Sequence, residues 1–299
     1  MVHGVFPGMD LVQLEAGPLQ GWIISATVGP YHVNAGSFDR ALLYDGRYNA
    51  GMVHVGFIFS REHIANSQAH EYGNGVISLD CGSSYMHEIF PANMVWVNIF
   101  ASEAVMMKDI QYSRKKLHDN PHLLLEGFRG ELMPLIGLVD EIIIQPSGEP
   151  AKSNSKQKAC FRSLLRTLLS SRFTNDVYEQ PFVSGDLFRM ALISKIENLF
   201  LTNNNKPLSL DNICTAANMK PRTLQNYFHN IYGMGPTEYF RIRRLNGART
   251  DLMNGETSVS DAAIHWGFTH FGRFSKKYKA VFNESPRDTI NQASASRTL

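Results

Sequence analysis

Between positions 208 and 290 the chain repeats itself, and no other feature restricts its fold so tightly. A shift of 50 positions lays Leu224 on Phe274, Phe228 on Tyr278, Ile231 on Val281, Tyr232 on Phe282, Gly233 on Asn283 and Pro236 on Pro286, with similar chemistry at each step. Just upstream the shift is 49, pairing Leu210 with Val259, Ile213 with Ala262 and Cys214 with Ala263, so the intervening turn differs by one residue. Leu210, Ile213, Cys214 and Ala217 fall at i, i+3, i+4 and i+7, as do Val259, Ala262, Ala263 and Trp266. Each set predicts a short amphipathic helix. A turn follows, Asn218-Met219-Lys220-Pro221 in one copy and Gly267-Phe268-Thr269-His270 in the other. A second helix then carries Leu224, Phe228 and Ile231, or Phe274, Tyr278 and Val281, on its inner face. The expected result is a pair of helices crossing over a tight turn, built twice. Cys214 and Ala263 are small because paired helices approach most closely there. Gly233 and Asn283 stand where each second helix must end in the left-handed conformation, and Pro236 and Pro286 open the helices that follow.

Between the copies, Pro236–Asn254 reads as one helix with Tyr239, Ile242, Leu245, Ala248 and Leu252 inward and Gly255 as its stop. At about 1.5 Å per residue this rod is about 28 Å long, near the ~34 to 36 Å of one DNA turn, so it suits two helices entering successive major grooves. Charge is distributed in the same sense. Residues 1–184 hold 14 Lys and Arg against 18 Asp and Glu, whereas residues 185–299 hold 15 against 9. Basic charge gathered in one segment is the footprint of a part that meets a polyanion, the alternative being a solvated basic surface.

These features resemble the AraC/XylS family of bacterial transcription regulators over about 208–290. The resemblance rests on Arg243-Arg244-Leu245-Asn246-Gly247-Ala248-Arg249 with Leu252, on Ala262-Ala263 with Trp266-Gly267-Phe268, on Phe274-Ser275-Lys276-Lys277-Tyr278-Lys279, and on Ser285-Pro286. The stretches 222–228 and 261–268 are most similar to the subgroup of the ethanolamine-operon regulator. Asn283 departs from the family's usual Gly, and Thr289-Ile290 stands where Tyr-Arg is common, which puts a phosphate contact there in question. The resemblance implies a sequence-specific regulator, an activator ahead of a repressor, bound as a homodimer to an operator duplex, with RNA polymerase and an unidentified effector as further partners. It also implies an N-terminal β-barrel sensor, sometimes of cupin type, with a dimerising helix.

The outward positions of each second helix are the candidates for DNA contact. In the first copy these are Lys220, Arg222, Thr223, Gln225, Asn226 and His229; the family pattern points to Arg222, Gln225 and Asn226. Arg suits guanine and Gln or Asn suits adenine in the major groove, whereas Lys220 and His229 sit at the rim, where phosphate is the expected partner. In the second copy they are His270, Gly272, Arg273, Lys276 and Lys277, with Arg273 expected to read a base and Lys276 shared between base and backbone. Of the connector arginines Arg241, Arg243, Arg244 and Arg249, one or two are expected on phosphate and the others paired with Asp251 or Glu238.

At 299 residues the chain is too long for one core, so two domains are expected: a sensor over 1–175, a linker over 176–185 and a DNA-binding domain over 186–299. The fold class is α+β, with a β-rich barrel or sandwich and some helices first, and an all-α double helix-turn-helix domain second. Short apolar runs broken by turn residues predict strands at Gly21–Val28, 41–46, 52–59 and 75–79. Helices are expected over 103–117, over part of 123–144 and over 156–173, where Cys160, Leu164, Leu165, Leu168 and Leu169 form a stripe. That stripe must be buried, either on its own domain or against a second copy. Cys81, Cys160 and Cys214 are too few and too scattered for a disulfide framework and are expected as reduced, packed thiols. No apolar run is long enough to span a bilayer and no signal segment opens the chain, so a cytoplasmic protein is expected.

A catalytic role, such as a cupin-like metalloenzyme fused to a DNA-binding tail, requires a metal triad or an activated nucleophile. His54, His63, His70 and His87 with Glu71 and Glu88 lack the spacing of a metal site, and no nucleophile elbow, phosphate loop or metalloprotease helix is present. No enzyme activity, metal or cofactor is therefore expected. Trp22, Phe57, Phe59, Tyr85 and Trp96 suit either a small-molecule pocket or plain core.

Overall fold

The computed structural model describes residues 9–47, 50–60, 76–81, 85–110, 122–126, 134–135, 137–138, 141, 154–173, 184–203, 206–255 and 257–297. These fall into two compact units. The first is residues 1–10, 21–39 and 44–185, and the second is residues 11–20, 40–43 and 186–299. The fold class is α+β, strands dominating the N-terminal part and helices the C-terminal part. The expected linker, 176–185, lies outside the described residues except for its last two.

The strands are β1 (Met9–Gln13), β2 (Gly21–Val28), β3 (Tyr31–Phe38), β4 (Leu42–Arg47), β5 (Met52–Ser60), β6 (Val76–Cys81), β7 (Tyr85–Phe90), β8 (Met94–Ser102) and β9 (His122–Glu126). A six-stranded sheet runs β2-β3-β8-β5-β6-β9 and a three-stranded sheet runs β1-β4-β7. The register sets Val33 and Val55 on either side of Ile99, and Ala35 and Phe57 on either side of Val97. Because strand side chains alternate, these residues share one face, and all are buried. On that face lie α1 (Glu103–Ile110) and α2 (Ser155–Phe173), which contribute Met106, Phe161, Leu165, Leu168 and Leu169. The opposite alternation holds His54, whose Nε2 lies 2.7 Å from the Asn98 Oδ1, and Trp96, whose ring meets Tyr44 of the smaller sheet.

Of the stretch 123–144, expected to be helical in part, residues 134–135, 137–138 and 141 are helical, whereas 123–126 are strand: β9 pairs with β6 at Leu79↔Leu123 and Ile77↔Leu125, so a continuous apolar run serves an edge pairing that periodicity does not reveal. Cys160 is exposed, not packed, and its place in the α2 stripe is taken by the fully buried Phe161, one residue on. The stripe itself packs on its own sheet. Phe57 and Trp96 are core, whereas Trp22 is 36% exposed and the Phe59 side chain lies outside the described residues. His63, His70 and Glu71 lie outside them too, and His87 Nδ1 sits 2.8 Å from Asp45. Among the described residues no group of three or more His, Cys, Asp or Glu is placed to hold a metal, and no helix is long and apolar enough to cross a membrane.

The second unit contains α3 (Ser184–Thr202), α4 (Leu210–Ala217), α5 (Pro221–Tyr232), α6 (Pro236–Asn254), α7 (Val259–His265), α8 (Phe271–Phe282) and α9 (Pro286–Arg297). The two copies of the repeat become α4–α5 and α7–α8, with α6 between them. Ser209 and Ser258 cap α4 and α7, each accepting the backbone N–H three residues on at 3.1 Å. Gly233 and Asn283 end α5 and α8 at φ +69° and +58°, the left-handed region that glycine and asparagine tolerate best. The first copy's core is aromatic: Phe228 contacts Tyr232, Tyr239 and Phe240. The second gathers Leu245, Ala248 and Leu252 of α6 with Ala262, Ala263, Phe274, Tyr278 and Phe282.

Segment 11–20 is tied into this unit by its backbone. The Asn246 side chain accepts the Gln13 N–H at 2.9 Å and donates to the Gln13 carbonyl at 3.1 Å, as a neighbouring strand does. Asn246 also donates to the Ile242 carbonyl of its own helix at 3.0 Å, so this buried amide is well satisfied. Gly17 N–H donates to the Val281 carbonyl at 2.9 Å.

Candidate nucleic-acid interface

Each second helix turns three aromatic or aliphatic side chains into the core. Leu224, Phe228 and Tyr232 of α5 are buried, and so are Phe274, Tyr278 and Phe282 of α8. The 3.6-residue period therefore forces the intervening positions outward. Lys220, Arg222, Thr223, Gln225, Asn226 and His229 are exposed, as are His270, Gly272, Arg273 and Lys276; Lys277 is half-buried.

The ends of these two helices differ from those of their neighbours. Helices α4, α6, α7 and α9 each carry an acidic residue in the first turn, Asp211, Glu238, Asp261 and Asp288. Asp288 shows what such a residue does: its carboxylate accepts the Ser285 N–H at 2.8 Å, which holds it below the usual carboxylate range. Helices α5 and α8 have no acidic residue in the first turn and no side-chain cap. Neither 218–237 nor 266–283 contains an Asp or Glu. The positive ends of both helix dipoles are thus left for an anion supplied from outside.

A second electrostatic feature lies where α8 meets α6. The Lys277 ammonium is held below its usual range by burial and by the nearby charges of Arg241, Arg244 and Arg273. Burial and the Arg241 charge push the Arg244 guanidinium down to about 10. Arg244 is held by its own surroundings, donating to the Phe240 carbonyl at 3.4 Å and lying 4.9 Å from the Phe268 ring centroid. Such crowding of like charges is relieved by an anion placed among them.

The connector arginines divide only partly as expected. Arg241 pairs with Glu238 of its own helix. Arg243 is buried and pairs with Glu197 of α3 at 3.0 Å, and Arg249 pairs with Glu284 at 3.0 Å. Asp251 instead accepts the Trp266 indole N–H at 2.8 Å and lies 3.4 Å from His265. The partners Glu197 and Glu284 stand 46 and 35 positions away from their arginines, a separation that helical spacing along one element does not encode. Thr289-Ile290 also resolves: Thr289 is buried against the Tyr278 hydroxyl at 2.8 Å, and Ile290 packs on the second core. One outward residue escaped the sequence analysis. Phe271, at the first position of α8, is 44% exposed; an apolar side chain on a polar face carries no signal when the face is chosen by polarity.

Comparison with known proteins matches residues 213–292 to a family model described as a helix-turn-helix domain. The XylDLEGF operon transcriptional activator 1 of Pseudomonas putida is 23% identical over 298 residues, 97% of this chain and 84% of that protein. The XylDLEGF operon transcriptional activator 2 of the same organism is 31% identical over 134 residues, 44% of this chain and 83% of that protein. A crystal structure of a transcriptional regulator with an AraC-type DNA-binding domain from Chromobacterium violaceum is 28% identical, covering 36% of this chain and 95% of that one, with a TM-score of 0.34. The repeated pair of crossed helices, the helix-turn-helix family match and the two Pseudomonas putida relatives define a DNA-binding transcription regulator. The chain belongs to the AraC/XylS family.

Proposed function

We propose that the chain activates transcription from a specific operator by seating α5 and α8 in successive major grooves of the duplex. Arg222, Gln225, Asn226 and Arg273 read base edges, helped by Thr223 and by the open backbone at Gly272. Lys220, His229, His270, Lys276 and Lys277 hold phosphates. The observation that carries this assignment is the pair of uncapped, acid-free N-termini on α5 and α8, in a unit whose other repeat helices supply their own acidic residue. The clustered charges of Arg241, Arg244, Arg273 and Lys277 add a place where a phosphate lowers repulsion. The activator role is supported by the names of the relatives. The strand-rich unit is the sensor of an effector and the C-terminal unit the DNA-binding domain, working in the cytoplasm as a homodimer that meets RNA polymerase at the promoter.

Footprinting of the full chain on the region upstream of its own gene tests this directly, since site length and half-site repetition appear together. Arg222→Ala and Arg273→Ala are each expected to cost about 1 to 3 kcal/mol and to relax sequence preference at one base position. Unaltered binding by both variants rejects the orientation assigned to α5 and α8. In a salt titration, log affinity should fall linearly with log salt, losing about 10³- to 10⁵-fold between ~50 and ~200 mM if about six to ten phosphates are held. A flat titration removes the electrostatic contribution altogether.

A further inference from the structure

Among the described residues the large hydrophobic side chains left exposed are Trp22, Leu201, Ile264 and Phe271, and only Phe271 lies on a reading helix. It occupies the first position of α8, beside the exposed Gly272 and Arg273 and five residues before Lys276. A Cβ added at Gly272 meets nothing within 4 Å, so the backbone of that first turn is open to close approach from outside. The equivalent position of the first copy, Pro221, has no such ring. A phenyl side chain amid cationic neighbours, at the uncapped end of a helix, faces a partner that is anionic overall yet offers an apolar group within reach. In the major groove one base edge does this: thymine, through its C5-methyl group.

We infer that Phe271 is a specificity-determining residue that packs its ring on a thymine methyl group in the major groove entered by α8. The inference rests on the DNA-reading role proposed for that helix and adds a preference for thymine that its polar side chains do not supply. A methyl contact of this kind acts through burial of apolar surface, so it is insensitive to salt, unlike the phosphate contacts around it.

The experiment uses the full chain and a duplex recovered from a randomised library by repeated selection on it. Each thymine is replaced in turn by uracil, which keeps base pairing and every polar group but removes the methyl. One thymine in each bound site is expected to show a loss of about fourfold in affinity, the worth of one buried methyl group. In Phe271→Ala, that position becomes silent to the replacement and overall affinity falls by about tenfold, whereas Phe271→Leu keeps the distinction. Because Phe271 is exposed, both variants should retain the parent's thermal melting, checked by circular dichroism. Uracil tolerated at every position, or a penalty that survives unchanged in Phe271→Ala, overturns the inference while leaving duplex binding intact. Failure of the library to yield any bound duplex is a different outcome and removes the DNA-reading role of α8 itself.

Discussion

Glu197→Ala is expected to destabilise the helical unit by about 3 to 5 kcal/mol, the usual cost of stripping one partner from a buried, hydrogen-bonded charge pair. The Glu197 carboxylate is buried between two groups of α6, accepting the Tyr239 hydroxyl at 2.5 Å and the Arg243 guanidinium at 3.0 Å. Alanine leaves the guanidinium charged and unpaired in a site where only 5% of Arg243 is exposed. The pair also joins α3 to the rod between the two helix-turn-helix units, and Phe200 of the same helix contacts both Phe240 of that rod and Trp266 at the end of α7. Urea unfolding followed by circular dichroism should show the loss in its helical transition, and amide exchange should quicken first in α3 and α6. The combination of Glu197→Ala with Arg243→Met should recover part of the loss, because no lone charge remains buried. A Glu197→Ala protein as stable as the parent would mean that Arg243 finds water or another acceptor.

The second large effect is expected at Gly247, in the middle of α6. A Cβ there lies 2.1 Å from the Trp266 indole, a separation no packed side chain adopts, and the indole is itself anchored through its N–H to Asp251. Gly247→Ala must push the ring aside or bend the rod, at a cost of about 3 kcal/mol even though alanine is the better helix former by ~1 kcal/mol. The two contributions are separable in a Trp266→Ala background, where Gly247→Ala should become neutral or stabilising. Denaturation midpoints of the four proteins in that cycle measure the coupling. An equal penalty in both backgrounds would place the defect in the helix and not at the ring.

How much of this was legible beforehand depends on the range of the interactions involved. The repeat, its turns, the bounds of the connecting helix and the left-handed stops at Gly233 and Asn283 follow from neighbours within four residues, where spacing and propensity act directly. The outward set on α5 and α8 follows as well, since burying Leu224, Phe228, Phe274 and Tyr278 leaves those positions no alternative. The errors lie where long-range pairing decides. Residues 123–126 became strand because β6 offered an edge, and Arg243 found Glu197 instead of a neighbour on its own helix. Phe271 went unread because its apolar character pointed to the core.

Sequence alone determined that this chain would build crossed helices twice over and hold them apart on a rod with a polar, acid-free outward face, because helical period and helix ends are set locally. Tertiary structure decided which charges are spent inside and which remain for a partner. It also decided that Gly247 exists to admit an indole, that Asn246 grips the backbone of segment 11–20, and that one phenyl ring stays outside. Those outcomes depend on which surfaces meet after distant segments collapse together, and charge pairing and packing gain their energy only in that geometry.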